Sequence, residues 1–196
     1  LLTRYLMSIR LGILMDPITA IRAHKDSSFA MLLAAQARGW QLFYMEQKDL
    51  YLRNERAFAS MRQLRVDDRD SDWFEWSEAE DLPLSGLDIL LMRKDPPMDM
   101  EYLYTTFMLE RAELEGLLVL NRPASLRDSN EKLYTTWFPQ CCAASLVSRD
   151  ATRLRAFLDE HHDIILKPLD AMGGTSIFRV RETDPNISVI LETLTE

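Results

Sequence analysis

Apolar residues along the first 125 positions fall into two rhythms. Ile9 to Met15 is a continuous apolar run broken only by Arg10 and Gly12. That is the pattern of a strand buried on both faces, and Asp16-Pro17 ends it. Asp26-Ser27-Ser28 is an N-cap cluster. Phe29, Leu32, Leu33 and Gln36 follow at helical spacing, and Gly39 stands where a C′ glycine belongs. Gln41 to Met45 is the next strand, so the opening predicts strand, helix and parallel strand. Leu87 to Met92 and Leu117 to Leu120 read as two further buried strands. The helix between them, Met100 to Glu115, carries Leu103, Phe107 and Leu114 on one stripe. Asp49 to Trp76 is richly charged and reads as a solvated excursion. Its Leu50–Leu52, Leu64–Val66 and Asp72–Trp76 pieces are candidate edge strands. The alternation predicts an α/β domain with a doubly wound, mostly parallel sheet.

A second region opens at Ser129. Ser129 or Asp128 is placed to cap a helix that Pro139 stops, and Asp150 to cap another with Leu154, Phe157 and Leu158 on its apolar face. Ile164 to Leu166 is then a short apolar strand, ended by Lys167-Pro168. A loop from Asp170 to Ser176 holds Gly173-Gly174, and Ser176 to Val180 alternates like a half-buried strand. This reads as part of an α+β subdomain.

The net charge of −8 argues against a nucleic-acid surface. No apolar run approaches the roughly 20 residues that span a bilayer. Cys141 and Cys142 are adjacent, so they offer neither a disulfide framework nor metal-ligand spacing. A reducing, cytoplasmic setting suits them. The chain starts with Leu and stops inside what reads as a helix, so a truncated chain is the expectation.

The chemistry concentrates at the glycine loop. Gly173-Gly174 adopts φ > 0 without steric cost, and successive free N–H groups in such a turn make an anion-binding concavity. Lys167 enters from one side with a full charge. The arrangement suits a polyphosphate. It is neither a Walker A loop, whose Lys follows the glycines before a helix, nor a dinucleotide fingerprint. A plain hairpin turn is the alternative. Lys132 is the second candidate cation, with an exposed helix lysine as its alternative. In the first region Asp16, Arg93, Lys94, Asp95 and Asn121 fall at strand carboxyl ends, where α/β sheets bind ligands. Arg93 is a natural carboxylate fork, unless it pairs with Asp95 or Asp99. Lys25-Asp26-Ser27-Ser28 lies at a helix N-terminus, which is an anion site or simple capping. His24, His161 and His162 lack a nucleophile partner at a recognisable spacing. The carboxylates show no metal-ligand spacing.

With these pieces placed, the chain from about Ile9 to Glu196 resembles bacterial glutathione synthetase. The resemblance rests on Leu11-Gly-Ile-Leu-Met-Asp-Pro17, Lys25-Asp-Ser-Ser-Phe-Ala-Met31, Leu91-Met-Arg-Lys-Asp-Pro-Pro97 and Asn121-Arg-Pro-Ala-Ser-Leu-Arg-Asp128. Asn130-Glu-Lys-Leu133 and Ile164-Ile-Leu-Lys-Pro-Leu-Asp170 with its glycine loop complete it. The family is an ATP-grasp ligase that joins γ-glutamylcysteine to glycine, splitting ATP to ADP and phosphate through an acyl phosphate. The resemblance implies an extension over 1–8, a pre-ATP-grasp, substrate-binding domain over 9–128 and the N-terminal part of an ATP-grasp domain over 129–196. It implies that Lys132, Ile165, Lys167, Met172, Gly173, Gly174, Thr175 and Ser176 bind ATP. Lys25, Asp26, Ser27, Arg93 and Asp95 would shape the dipeptide end. It also implies a homotetramer and Mg²⁺, whose acidic ligands have no counterpart here. On that ground this polypeptide alone is expected to lack ligase turnover. Cys141-Cys-Ala-Ala144 stands where the family usually carries a Thr-Pro-containing segment. Another ATP-grasp carboxylate–amine ligase, related to D-alanine–D-alanine ligase, and a non-catalytic nucleotide-binding remnant are the competing readings.

Overall fold

A computed structural model describes residues 8–69 and 71–195. The expected extension over 1–8 therefore lies outside the described residues except at its last position. The described residues divide into two compact units, one of residues 8–95 and 100–127 and one of residues 96–99 and 128–195.

The first unit is an α/β domain. β1 (Arg10–Met15) lies between β2 (Gln41–Met45) and β7 (Ile89–Arg93), and β8 (Leu118–Leu120) lies outside β7, all four parallel. α1 (Ser27–Ala37) connects β1 to β2, and α2 (Met100–Leu114) connects β7 to β8. Strand alternation sends the sheet's apolar side chains to both faces. Leu11, Ile13 and Met15 pack with Phe29, Leu32 and Ala35 on the α1 side. Leu14 and Leu90, of the opposite parity, are fully buried as well. Each such side chain contributes about 1.5–3 kcal/mol of burial. The loop after β1 is held where Ile18 N–H donates to the Tyr44 hydroxyl, which donates to Glu46. Burial, above all, pushes the Tyr44 hydroxyl pKa well up.

Three expectations need correction here. Asp49 to Trp76 is not a solvated excursion. It holds β3 (Leu50–Arg53), β4 (Arg56–Val66) and β5 (Phe74–Trp76), and β6 (Glu80–Pro83) follows. The 11-residue β4 pairs antiparallel with β2, β3, β5 and β6. Its alternation hides because burial changes parity midway, from Ala57, Ala59 and Met61 to Leu64 and Val66. Two of those buried residues are alanines, which are weak apolar markers. Secondly, Phe107 and Leu114 of α2 are exposed at 48% and 73%, and the buried face is Tyr102, Thr105, Thr106, Leu109 and Ala112. The threonines pass inside because their hydroxyls donate to the helix's own carbonyls at Glu101 and Leu103. Thirdly, β8 is an end strand with Leu118 and Leu120 about half exposed, not a fully buried strand.

The second unit begins where a helix was expected. Instead α3 (Pro123–Asp128) ends at Asp128, and residues 134–137 and 139–141 form single 3₁₀ turns. Asn130, rather than Ser129 or Asp128, supplies the capping oxygen, accepting from the Lys132 and Leu133 N–H groups. α4 (Ala151–His161) is capped by Asp150 as expected. It packs Leu154 and Leu158 against β9 (Asp163–Leu166), β10 (Phe178–Arg181) and Leu191 of α5 (Ile187–Thr195). β9 and β10 form an antiparallel hairpin. The second strand starts later than its alternation suggested, because Ser176 sits at φ 55° in the turn.

Asp163 closes this hairpin with Arg179 and Arg181. Hydrogen bonds from Arg179, then Arg181, lower its pKa from 3.8 to about 2. A depressed carboxylate stabilises the fold above its unfolded pKa and loses that effect as pH falls through the folded value. Thermal unfolding of the chain and of Asp163→Asn should therefore differ above pH about 4 and converge as pH approaches about 2. A constant difference across that window would remove the pair from the hairpin's stability.

Candidate functional site

In the second unit, residues 167–177 join β9 to β10. Gly173 and Gly174 sit at φ 65° and 83°, and nothing lies within 4 Å of a Cβ placed on either. Their glycine identity therefore answers to backbone torsion and not to crowding. Two turns fold the loop, Thr175 N–H to Met172 O at 3.1 Å and Ile177 N–H to Gly174 O at 3.4 Å. Met172 to Ile177 are all exposed. This leaves a glycine turn open to solvent, with the Thr175 and Ser176 hydroxyls beside it in the chain.

Lys132 reaches this loop. Its ammonium donates to the Ala171 carbonyl and pairs with Glu131 at 3.0 Å, and its side chain is only 19% exposed. Asn130 Nδ2 donates to the Leu169 carbonyl at 2.9 Å. Two neighbouring side chains of one turn thus grip two carbonyls of one loop arm. Lys167 is exposed directly after the buried Leu166, at the loop's base. Ile165 is half exposed, on the face of β9 opposite Ile164 and Leu166. Of the eight residues expected to contact nucleotide, the geometry brings Lys132 onto the glycine loop and leaves Lys167 and Ile165 on β9 and its end. An ammonium poised on an exposed glycine loop with two hydroxyls is a donor set that fits the phosphates of ATP.

In the first unit, Arg93 ends β7 beside the start of α1. Its Nε donates to Ser28 Oγ at 3.0 Å and its Nη2 to Ser27 Oγ at 2.9 Å. Its two described bonds are to these hydroxyls and not to Asp95, whose N–H turns to Asp16 instead. A guanidinium held beside a helix N-terminus by two neutral hydroxyls keeps donors for an anion. Asp26 caps α1, accepting from the Ser28 and Phe29 N–H groups. Lys25 is exposed just before it. Asp95 N–H donates to Asp16 Oδ2 at 2.9 Å, and Lys94 pairs with Asp16 Oδ1 at 2.9 Å. Tyr102 is raised in pKa by burial first and by the Asp95 charge second. Asp16 was legible as a strand-end residue and Ser28 as part of the helix-start cluster, but their bonds to Lys94, Asp95 and Arg93 were not. Asn130 is the residue whose role sequence reasoning missed.

Replacing Asp26 with Ala removes the α1 cap and should cost about 1 kcal/mol of stability. It should also loosen the Ser27–Ser28 seat of Arg93. Chemical denaturation checks the first part, and a change within error would deny the cap its role.

The description "Prokaryotic glutathione synthetase, N-terminal domain" matches residues 9–127, and "Prokaryotic glutathione synthetase, ATP-grasp domain" matches residues 131–196. The chain belongs to the prokaryotic glutathione synthetase family. Among curated members of that family it is 62% identical over 189 residues to the glutathione synthetase of Pseudomonas putida, covering 96% of this chain and 60% of that protein. It is 60% identical over 188 residues to the Shewanella oneidensis glutathione synthetase and 58% identical over 188 to that of Escherichia coli, again covering 96% of this chain and 60% of each relative. The chain thus spans about 60% of the length of these glutathione synthetases. Solved structures of similar fold include D-alanyl-alanine synthetase A from Vibrio cholerae, with TM-score 0.52 and 13% identity over 96% of this chain and 56% of that one. The ATP-grasp ligase PsnB complexed with a minimal precursor gives 0.51 and 12% over 96% and 61%. At such identity they speak for the α/β ATP-grasp fold alone.

Among the described residues no group of three or more His, Cys, Asp or Glu could hold a metal ion. Among the described residues no helix is long and apolar enough to cross a membrane.

Proposed function

We propose that this chain supplies the dipeptide-binding domain, residues 9–128, and the first part of the nucleotide clamp, residues 129–196, of a ligase that joins γ-glutamylcysteine to glycine. The observation that carries the reading is the Lys132 ammonium lying on the Ala171 carbonyl of an exposed glycine turn. ATP supplies the phosphoryl group that activates the cysteinyl carboxylate.

Each residue has a role in this reading. Lys132 and Lys167 hold phosphate charge, and the Gly173–Ser176 turn covers the phosphates with backbone and hydroxyl donors. Ile165 and Met172, half and more than a third exposed, offer apolar surface to the nucleoside. Arg93, fixed by Ser27 and Ser28, binds a carboxylate of the dipeptide as a fork. Lys25 adds positive charge before α1, Asp26 holds the helix start, and Asp95, with its N–H on Asp16, shapes the same strand ends. Phosphoryl transfer to the carboxylate would also require Mg²⁺. Cytoplasmic residence and a homotetramer belong to the same proposal.

Titration calorimetry tests the reading on this chain. ATP should bind more tightly than AMP, and γ-glutamylcysteine more tightly than D-alanyl-D-alanine. Equal affinity for ATP and AMP would remove the phosphate site. A preference for D-alanyl-D-alanine would favour the other ligase class. ATP binding with no dipeptide binding would favour a nucleotide-binding remnant.

A further inference from the structure

We propose that Asn130 is the positioning residue of the glycine loop, a fixed hinge beside which Lys132 acts as an exchangeable latch. Asn130 uses both ends of its amide. The Oδ1 accepts from the Lys132 and Leu133 N–H groups, both at 3.0 Å, which sets the backbone from which Lys132 projects. The Nδ2 donates to the Leu169 carbonyl at 2.9 Å, which anchors the start of the loop. Two positions further on, Lys132 holds the Ala171 carbonyl. One turn therefore grips alternate carbonyls of the arm leading to Gly173 and Gly174.

The two grips differ in chemistry. The amide–carbonyl bond of Asn130 is neutral, and a phosphate would offer its Nδ2 one charge-assisted bond but no ion pair. The ammonium of Lys132 is charged and prefers an anionic oxygen to a neutral one. A polyphosphate arriving at the loop therefore competes for Lys132 with both the Glu131 carboxylate and the Ala171 carbonyl, and as the ammonium turns to it Ala171 is released. Asn130 keeps its hold on Leu169, so the glycine turn swings from a fixed base. Among the described residues, the turns holding Thr175 and Ile177 lie beyond the released carbonyl. The latch rests on the phosphate reading of Lys132. The hinge does not.

Backbone amide hydrogen exchange on the unliganded chain tests the hinge. Asn130→Asp keeps the acceptor for the Lys132 and Leu133 amides and loses the donor to Leu169. It should leave those two amides protected and speed exchange at Thr175 and Ile177 by about five- to tenfold, the scale of one lost hydrogen bond. Asn130→Ala should speed all four. If both variants leave Thr175 and Ile177 at the unsubstituted rate, the hinge is overturned. If Asn130→Asp also exposes Lys132 and Leu133, the division of labour between the two ends of the amide is overturned. Inorganic triphosphate tests the latch separately. It should speed exchange at Ile177, whose amide lies outside the phosphate-covering turn, in the unsubstituted chain and have no effect in Lys132→Met, and an equal response in both overturns the latch. Absence of ATP binding in the calorimetry above would end the phosphate reading while leaving the hinge result standing.

Discussion

Lys132→Met should weaken ATP binding by about two orders of magnitude while AMP binding falls far less. A unit charge about 4 Å from a phosphate oxygen, at an effective dielectric near 20, is worth about 4 kcal/mol before desolvation. Lys132 has already lost most of its water, with its side chain 19% exposed, so little further desolvation opposes binding. It must surrender the Ala171 carbonyl, a bond whose net worth is about 1 kcal/mol, and its pair with the exposed Glu131, which is worth little beside it. The remainder, about 3 kcal/mol, corresponds to roughly a hundredfold. Methionine keeps the length and apolar stem, so packing is conserved while the charge is lost with its bonds to Ala171 and Glu131. AMP carries no β- or γ-phosphate, so its affinity controls for damage to the fold. Calorimetry with both nucleotides reads the difference. A loss under about threefold for ATP, or equal losses for both, would take Lys132 out of the phosphate site.

Leu109→Ala should cost about 3 kcal/mol of stability, and Phe107→Ala less than about 1 kcal/mol. Leu109 is 0% exposed on the sheet side of α2, where truncation leaves a cavity. Phe107 is 48% exposed and lies under the Arg127 guanidinium at 4.4 Å, a contact worth about 0.5–1 kcal/mol. The apolar stripe read from sequence would reverse this order. Denaturant unfolding of the two variants decides between them, and a costlier Phe107→Ala would put the buried face of α2 where the apolar stripe suggested.

The contrast on α2 shows where sequence reasoning stops. The boundaries of α1, α2 and α4 were legible because caps are local. Asp26, Gly39, Asp150 and Gly116 each sit where their backbone torsions or bonds require them. The strands β1, β2 and β7 were legible because buried parallel strands are continuously apolar. What escaped depends on partners distant in the chain. The buried threonines of α2 look polar until their hydroxyls bond back to the helix. The parity change of β4 makes sense only with several strands paired along it.

The candidate site divides the same way. Gly173 and Gly174 carry positive φ as their residue type suggests. Arg93 was recognisable as a fork, but its hold on Ser27 and Ser28 joins residues more than 60 positions apart. Lys132 was chosen as a cation by residue type. That its ammonium meets Ala171, and that Asn130 meets Leu169, are contacts across 39 positions which no local spacing encodes.

The most direct measurement is an amide-resolved NMR titration of this chain with ATP. The account requires the largest shifts at Gly173, Gly174, Thr175 and Ser176, with accompanying shifts at Lys132 and Leu133. Saturable ATP binding that leaves those amides unmoved would contradict it.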